Sequence, residues 1–207
     1  MTAQVMGLFP TPVMTVKALA PERLRRSIVE DARRKAKSAN VHDGRLAHTE
    51  MIRPEDNADF GRLADLLAPH LTEFGALLLG EKLRWLVKEM WVNLLQNGGH
   101  QAMHNHANSF VSVVLYLTPT GEGARTLFHR PIGGGDFAFA NENRGTTMTP
   151  FNAKRWVAPA MEPGDALFFP SYLLHEVPAN PGGERITVAL NALPERVDSW
   201  GYAVRFS

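Results

Sequence analysis

A chain of 207 residues with 44% hydrophobic and 21% charged side chains has the size and composition of one globular domain, which excludes a fibrous or intrinsically disordered protein. Its 22 basic and 21 acidic residues leave a formal charge of +1, so no global field draws it to nucleic acid or to an anionic membrane. It has no cysteine, which excludes disulfides, thiolate zinc sites and a cysteine nucleophile and leaves histidine and carboxylate as the strong metal ligands.

At the N-terminus, Pro10 and Pro12 interrupt what apolar character exists, so no signal peptide is expected there. No apolar run approaches the roughly 18 residues of a membrane span. A cytoplasmic protein fits these features, and a homodimer is compatible with them. An extended segment over residues 8–19 is followed by Pro21, from which Leu24, Ile28, Ala32 and Ala36 recur every four residues, predicting an amphipathic helix near 21–37. Its basic outer face is interleaved with Glu22, Glu30 and Asp31 and reads as a solvated surface.

A polar loop leads to a second helix near 57–79, where Phe60, Leu63, Leu67, Leu71, Phe74 and Leu78 keep helical spacing and Gly80 offers a stop. Beyond Gly80 the pattern changes to short apolar segments, at 83–95, 110–117, 155–160, 166–169 and 186–190, bounded by Gly, Pro and Asn as strands are. Helices first and strands afterwards predict an α+β fold with helices on one side of a mostly antiparallel β structure. Residues 132–149 read as a long loop, either a lid or a tolerated insertion, and Gly133-Gly134-Gly135 within it lacks the context of a phosphate loop.

Of eight histidines, His100, His104 and His106 crowd one segment. In extended backbone residues i and i+2 project to one face, so His104 and His106 can bring two imidazoles to one metal ion. The Gly98-Gly99 turn leaves the direction of His100 open, and an isolated H-x-H also fits a polar loop with incidental histidines. A further histidine, His175, follows an apolar strand and a turn, and Arg185 stands ten residues beyond it. On the strand that Arg185 opens, Thr187, Ala189 and Asn191 share its face, while Ile186, Val188 and Leu190 share the other. Taken alone, that polar face reads as solvent-facing.

Together, Trp91-Val92-Asn93, His104-Asn105-His106, Tyr116-Leu117, Pro163-Gly164, Phe169-Pro170-Ser171, His175 and residues 185–191 resemble a family of iron(II)- and 2-oxoglutarate-dependent oxygenases of unassigned substrate. Leu8-Phe9-Pro10-Thr11-Pro12 is similar to that family's N-terminal signature. The resemblance implies a distorted double-stranded β-helix, or jelly roll, in a single domain over 1–207, with an extended segment and supporting helices in 1–80 and the jelly-roll core in 81–207. It implies Fe(II) as cofactor, 2-oxoglutarate as cosubstrate and O2 as oxidant, with 2-oxoglutarate decarboxylated to succinate as an unknown substrate is hydroxylated.

By the same resemblance His104, His106 and His175 are the metal ligands, with His100 outside the set and no catalytic residue beyond the ligands. The superfamily's usual first motif is H-x-D or H-x-E, so His106 stands where a carboxylate is expected and the site carries one more unit of positive charge. Arg185 is implied to hold the distal carboxylate of 2-oxoglutarate through a two-pronged, charge-assisted contact. Tyr116 resembles the tyrosine that helps to bind 2-oxoglutarate, and Thr187 and Asn93 are further candidate contacts. His42, His48, His70 and His129 have no partner spacing and are expected at surface or capping positions.

Two other readings compete. A cupin-type metalloprotein that does not use 2-oxoglutarate matches Gly98 followed by His104-Asn105-His106, but Phe110 and Val111 occupy the places of its acidic ligand and Arg185 has no general role in it. A non-catalytic binding module that keeps the barrel is the second.

Overall fold

The computed structural model describes residues 3–35, 38–39, 44–130, 141 and 143–206. The expected end of the first helix at 36–37, His42, and residues 132–140 and 142 of the long loop, with its three glycines, lie outside the described residues.

The first helix, α1, spans Glu22–Lys35 and turns Leu24, Ile28 and Ala32 inward. Its basic face stays in solvent, where Arg34 and Lys35 pair with Asp31 at 3.2 and 2.8 Å. The second, α2, spans Ala58–Leu79. Its start is set by Asn57, whose side chain accepts from the backbone N–H of Asp59 at 2.9 Å and of Phe60 at 3.4 Å, satisfying donors that the helix cannot. Its end is set by Gly80 at φ 73, a left-handed conformation that costs glycine least. Phe60, Leu63, Leu67, Leu71 and Phe74 are buried along one stripe of α2, each contributing about 1.5 to 3 kcal/mol by leaving water.

The strands, in chain order, are β1 (Met14–Val16), β2 (Ser38–Ala39), β3 (Leu46–His48), β4 (Trp85–Leu95), β5 (Gln101–His104), β6 (Val111–Tyr116) and β7 (Leu127–His129). They continue as β8 (Arg155–Val157), β9 (Ala166–Pro170), β10 (His175–Val177), β11 (Arg185–Pro194), β12 (Arg196–Ser199) and β13 (Tyr202–Arg205). Seven of them form one sheet in the order β1-β9-β6-β11-β4-β3-β2, and four form a second in the order β5-β10-β7-β8. The pairings are antiparallel, and β12 and β13 make a separate hairpin.

The α+β class is as the sequence predicts. Residues before Gly80 supply more than helices, however, because β1, β2 and β3 all enter the large sheet. The strand expected at 155–160 is limited to Arg155–Val157, and that expected at 186–190 extends to Arg185–Pro194.

Both helices pack on one face of the large sheet, where Leu24, Ile28, Phe60, Leu63, Phe74, Met90, Val113, Phe168, Ile186 and Leu190 belong to one buried cluster. The opposite face meets the small sheet through a second cluster that includes Tyr116, Phe128, Leu167, Phe169 and Leu173. The central strand β11 is therefore covered on both sides, and Arg185 to Ala192 are all buried. Among the described residues no helix is long and apolar enough to cross a membrane.

Candidate metal centre

Cross-strand register brings the distant histidine to the pair. On the small sheet β10 runs antiparallel to β5 with His175 directly opposite His104. His106 lies past the end of β5, where its backbone N–H donates to the Ser171 carbonyl at 3.0 Å and so ties the segment to the turn after β9. The three imidazoles converge, with potential ligand atoms of His104, His106 and His175 all within 4.8 Å of one another. Ring centres are 4.3 Å apart for His104 and His175, 5.1 Å for His106 and His175, and 5.2 Å for His104 and His106.

Each ring has its Nδ1 engaged. That of His104 lies 2.8 Å from the Ala102 carbonyl, that of His175 lies 2.9 Å from the Leu173 carbonyl, and that of His106 lies 2.6 Å from Asn191 Oδ1. Carbonyl oxygens only accept, so Nδ1 carries the hydrogen and each Nε2 keeps its lone pair for a metal. Burial lowers the pKa of all three rings. His175 falls furthest, to about 3, through burial first and the neighbouring His104 second. Neutral imidazoles are the form a metal requires, and the donor set fits a single divalent transition ion.

These rings open into a cavity of about 370 Å³, whose wall includes Asn93, Thr126, Arg185, Thr187 and Asn191. Arg185 is 4% exposed, yet no carboxylate among the described residues pairs with it and its Nε has no hydrogen-bond partner. Its Nη1 reaches Thr187 Oγ1 at 3.5 Å, and its Cζ sits 5.2 Å from the centre of the Tyr116 ring. Burial presses its pKa below the ordinary value, with Tyr116 opposing that fall.

Thr187 and Asn93 face each other across β11 and β4 and both line the cavity. Tyr116 stands behind Arg185, with its hydroxyl 3.1 Å from Thr126 Oγ1. His100 is exposed and outside the cluster. His48, expected at a surface or capping position, is half-buried and contributes to the cavity wall beside Asn93. A larger groove of about 540 Å³, bounded by Pro10, Arg155 and Trp156, contains none of the three converging histidines.

Sequence reasoning missed the residues behind His106. Asn191, Ser112 and Glu89 occupy one row across β6, β11 and β4. The Ser112 hydroxyl lies 2.9 Å from His106 Nδ1 and donates to Asn191 Oδ1 at 3.0 Å. Asn191 Nδ2 donates to Glu89 Oε1 at 2.9 Å. The available signal was the shared strand face of Arg185 and Asn191, which marked Asn191 as turned toward whatever Arg185 faces.

Residues 89–191 match the family model described as "Putative 2OG-Fe(II) oxygenase". None of the curated proteins matches the sequence. Among solved structures, HygX from Streptomyces hygroscopicus, with nickel and 2-oxoglutarate bound, superposes with a TM-score of 0.62 at 13% identity over 89% of this chain and 83% of that one. A Pseudomonas putida prolyl-4-hydroxylase gives 0.59 at 17% identity over 87% and 92% of the two chains. An oxidoreductase of the 2OG-Fe(II) oxygenase family from Burkholderia pseudomallei gives 0.58 at 16% identity over 87% and 83%. At these identities the likeness is one of fold, and that fold is the double-stranded β-helix.

Proposed function

Because this chain belongs to the family of 2-oxoglutarate- and iron(II)-dependent oxygenases, we propose that His104, His106 and His175 hold one iron(II) and that Arg185 receives the distal carboxylate of 2-oxoglutarate. The observation that carries this reading is Arg185 itself, a buried cation with no carboxylate partner among the described residues. A charge removed from water without a counter-ion is costly, and a guanidinium presents a planar fork suited to an anionic carboxylate. Arg185 shares the cavity with the three histidines, so one dicarboxylate can meet the cation at one end and the metal at the other.

When bound, iron and 2-oxoglutarate supply oxidative chemistry that decarboxylates the cosubstrate to succinate and oxidises a C–H bond of the substrate with O2. The chain's own contribution is to orient and exclude water. Carbonyl groups of Ala102 and Leu173 hold the His104 and His175 rings, and Thr187 and Asn93 offer polar groups beside Arg185 on adjacent strands. Tyr116 supports the guanidinium from below.

Anaerobic titration of the iron-loaded protein with 2-oxoglutarate tests the reading. A visible charge-transfer band that saturates in the wild type, with weakened binding but intact iron affinity in Arg185→Ala, is the expected result. No band and no succinate release would favour the binding module. Oxygen consumption independent of 2-oxoglutarate would favour the cupin-type metalloprotein. Metabolite profiling with the active protein then identifies the substrate.

A further inference from the structure

His106 is the ligand at which this chain departs from the H-x-D and H-x-E pattern, and it differs from the other two in what holds it. His104 and His175 donate to main-chain carbonyls, whose polarity cannot be reversed. His106 relies on a side-chain amide that has a donor end and an acceptor end. If Asn191 turned over, its NH2 would face Nδ1, the ring would carry its hydrogen on Nε2, and the lone pair would point away from the metal.

The Glu89 contact settles the amide's direction, and the Ser112 contact agrees with it. Glu89 is a carboxylate and can only accept, and Asn191 Nδ2 lies 2.9 Å from its Oε1. The Ser112 hydroxyl donates to Asn191 Oδ1 at 3.0 Å. Oδ1 therefore faces His106 at 2.6 Å, and the hydrogen belongs on Nδ1. Asn191 is 4% exposed, so solvent does not substitute for either contact, and strand register places Glu89, Asn191 and Ser112 in one row across three strands.

We propose that Glu89 and Asn191 are positioning residues that fix His106 in the Nδ1–H form and so present its Nε2 lone pair to the metal. The carboxylate missing from the usual ligand position thus acts from two residues further out, at Glu89, through the Asn191 amide. The proposal rests on the three-histidine reading above.

The test reverses the polarity of position 89 and then restores it. Glu89→Lys offers Asn191 only donors, so the amide is no longer held with Oδ1 toward His106. In histidine-labelled, metal-free full-length protein, 15N NMR should show His106 as the Nδ1–H tautomer in the wild type and a shift toward Nε2–H in Glu89→Lys. Anaerobic iron(II) affinity should fall by roughly 10- to 100-fold, as for other residues that orient a ligand. Adding Asn191→Asp to Glu89→Lys pairs the new carboxylate with the lysine and lets it accept from Nδ1, so tautomer and affinity should both return toward the wild type. An unchanged tautomer in Glu89→Lys, or a double variant no better than the single one, overturns the proposal. Wild-type iron affinity in His106→Ala would instead sink the three-histidine reading, while the metal-free NMR comparison still decides the tautomer.

Discussion

The buried guanidinium of Arg185 lies over the face of Tyr116, with Cζ 5.2 Å from the ring centre, while the tyrosine hydroxyl is turned to Thr126 at 3.1 Å. The ring face lies against the cation, and the phenolic group also opposes the fall in its pKa. Tyr116→Phe should leave 2-oxoglutarate affinity within about threefold, whereas Tyr116→Leu removes a cation–π contact of about 0.5 to 2 kcal/mol and should weaken binding by about 2- to 30-fold. Equal losses in the two variants would assign the hydroxyl, and a direct contact with the cosubstrate, the larger part.

Arg185→Ala should weaken 2-oxoglutarate by about 30-fold or more, since truncating one partner of a buried charge pair costs on the order of 2 to 5 kcal/mol. Arg185→Lys should rescue only partly, because it keeps the charge and loses the fork. Titration of the iron-loaded proteins reads both, and wild-type affinity in Arg185→Ala would remove the basis for a 2-oxoglutarate site here.

Iron occupancy after anaerobic loading should be lost in His104→Ala, His106→Ala and His175→Ala and kept in His100→Ala, whose parent side chain is exposed and outside the converging group. Metal analysis of the four proteins is decisive. Full occupancy in His106→Ala together with loss in His100→Ala would overturn the ligand assignment.

Gly75 sits near the C-terminal end of α2 against the buried indole of Trp85, and a Cβ there would run into the ring. Gly75→Ala gains about 1 kcal/mol of helix propensity. Against that stands the strain of overpacking, about 1 to 3 kcal/mol, augmented because Trp85 lies at 7% exposure with little room to retreat. A net fall in thermal stability is expected, and a higher melting temperature would show that the α2 to β4 contact repacks freely.

Asp165 accepts from Lys17 Nζ at 2.7 Å and from the backbone N–H groups of Ala18 and Glu162 at 2.9 Å each. Burial alone would raise its pKa, but these contacts outweigh it and hold the carboxyl below its ordinary 3.8. The unfolded chain therefore takes up the proton first as pH falls, so this stabilisation is complete above the unfolded value and is lost as pH drops through the lower folded one. Asp165→Asn should cost about 1 to 3 kcal/mol at neutral pH, and the gap between wild type and variant in urea unfolding should narrow below about pH 4. A gap that is constant with pH would exclude the ionised carboxylate as its source.

The helices were legible in the sequence because their determinants are local. Asn57 and Gly80 mark the ends of α2 by their own side chain and backbone, and the apolar spacing between them needs no partner to be read. The candidate site was legible as residues, His104 and His106 two apart and an arginine ten residues after His175, but spacing alone left a polar loop open, and only the resemblance to the oxygenase family pointed to a metal.

What the sequence by itself determined is the inventory and its periodicity: two amphipathic helices, a run of strands, three histidines and a cation. Tertiary structure decided which of those residues meet. The polar face of β11 reads in isolation as solvent-facing, yet β11 is flanked by β4 and β6 and covered on both sides, so Arg185, Thr187 and Asn191 are interior. The same pairing sets Asn191 between Glu89 and Ser112 and turns Tyr116 beneath Arg185. Those neighbours come from strands that lie far apart in the chain, and their register depends on burying one set of alternating side chains rather than the other, a choice that no single segment carries.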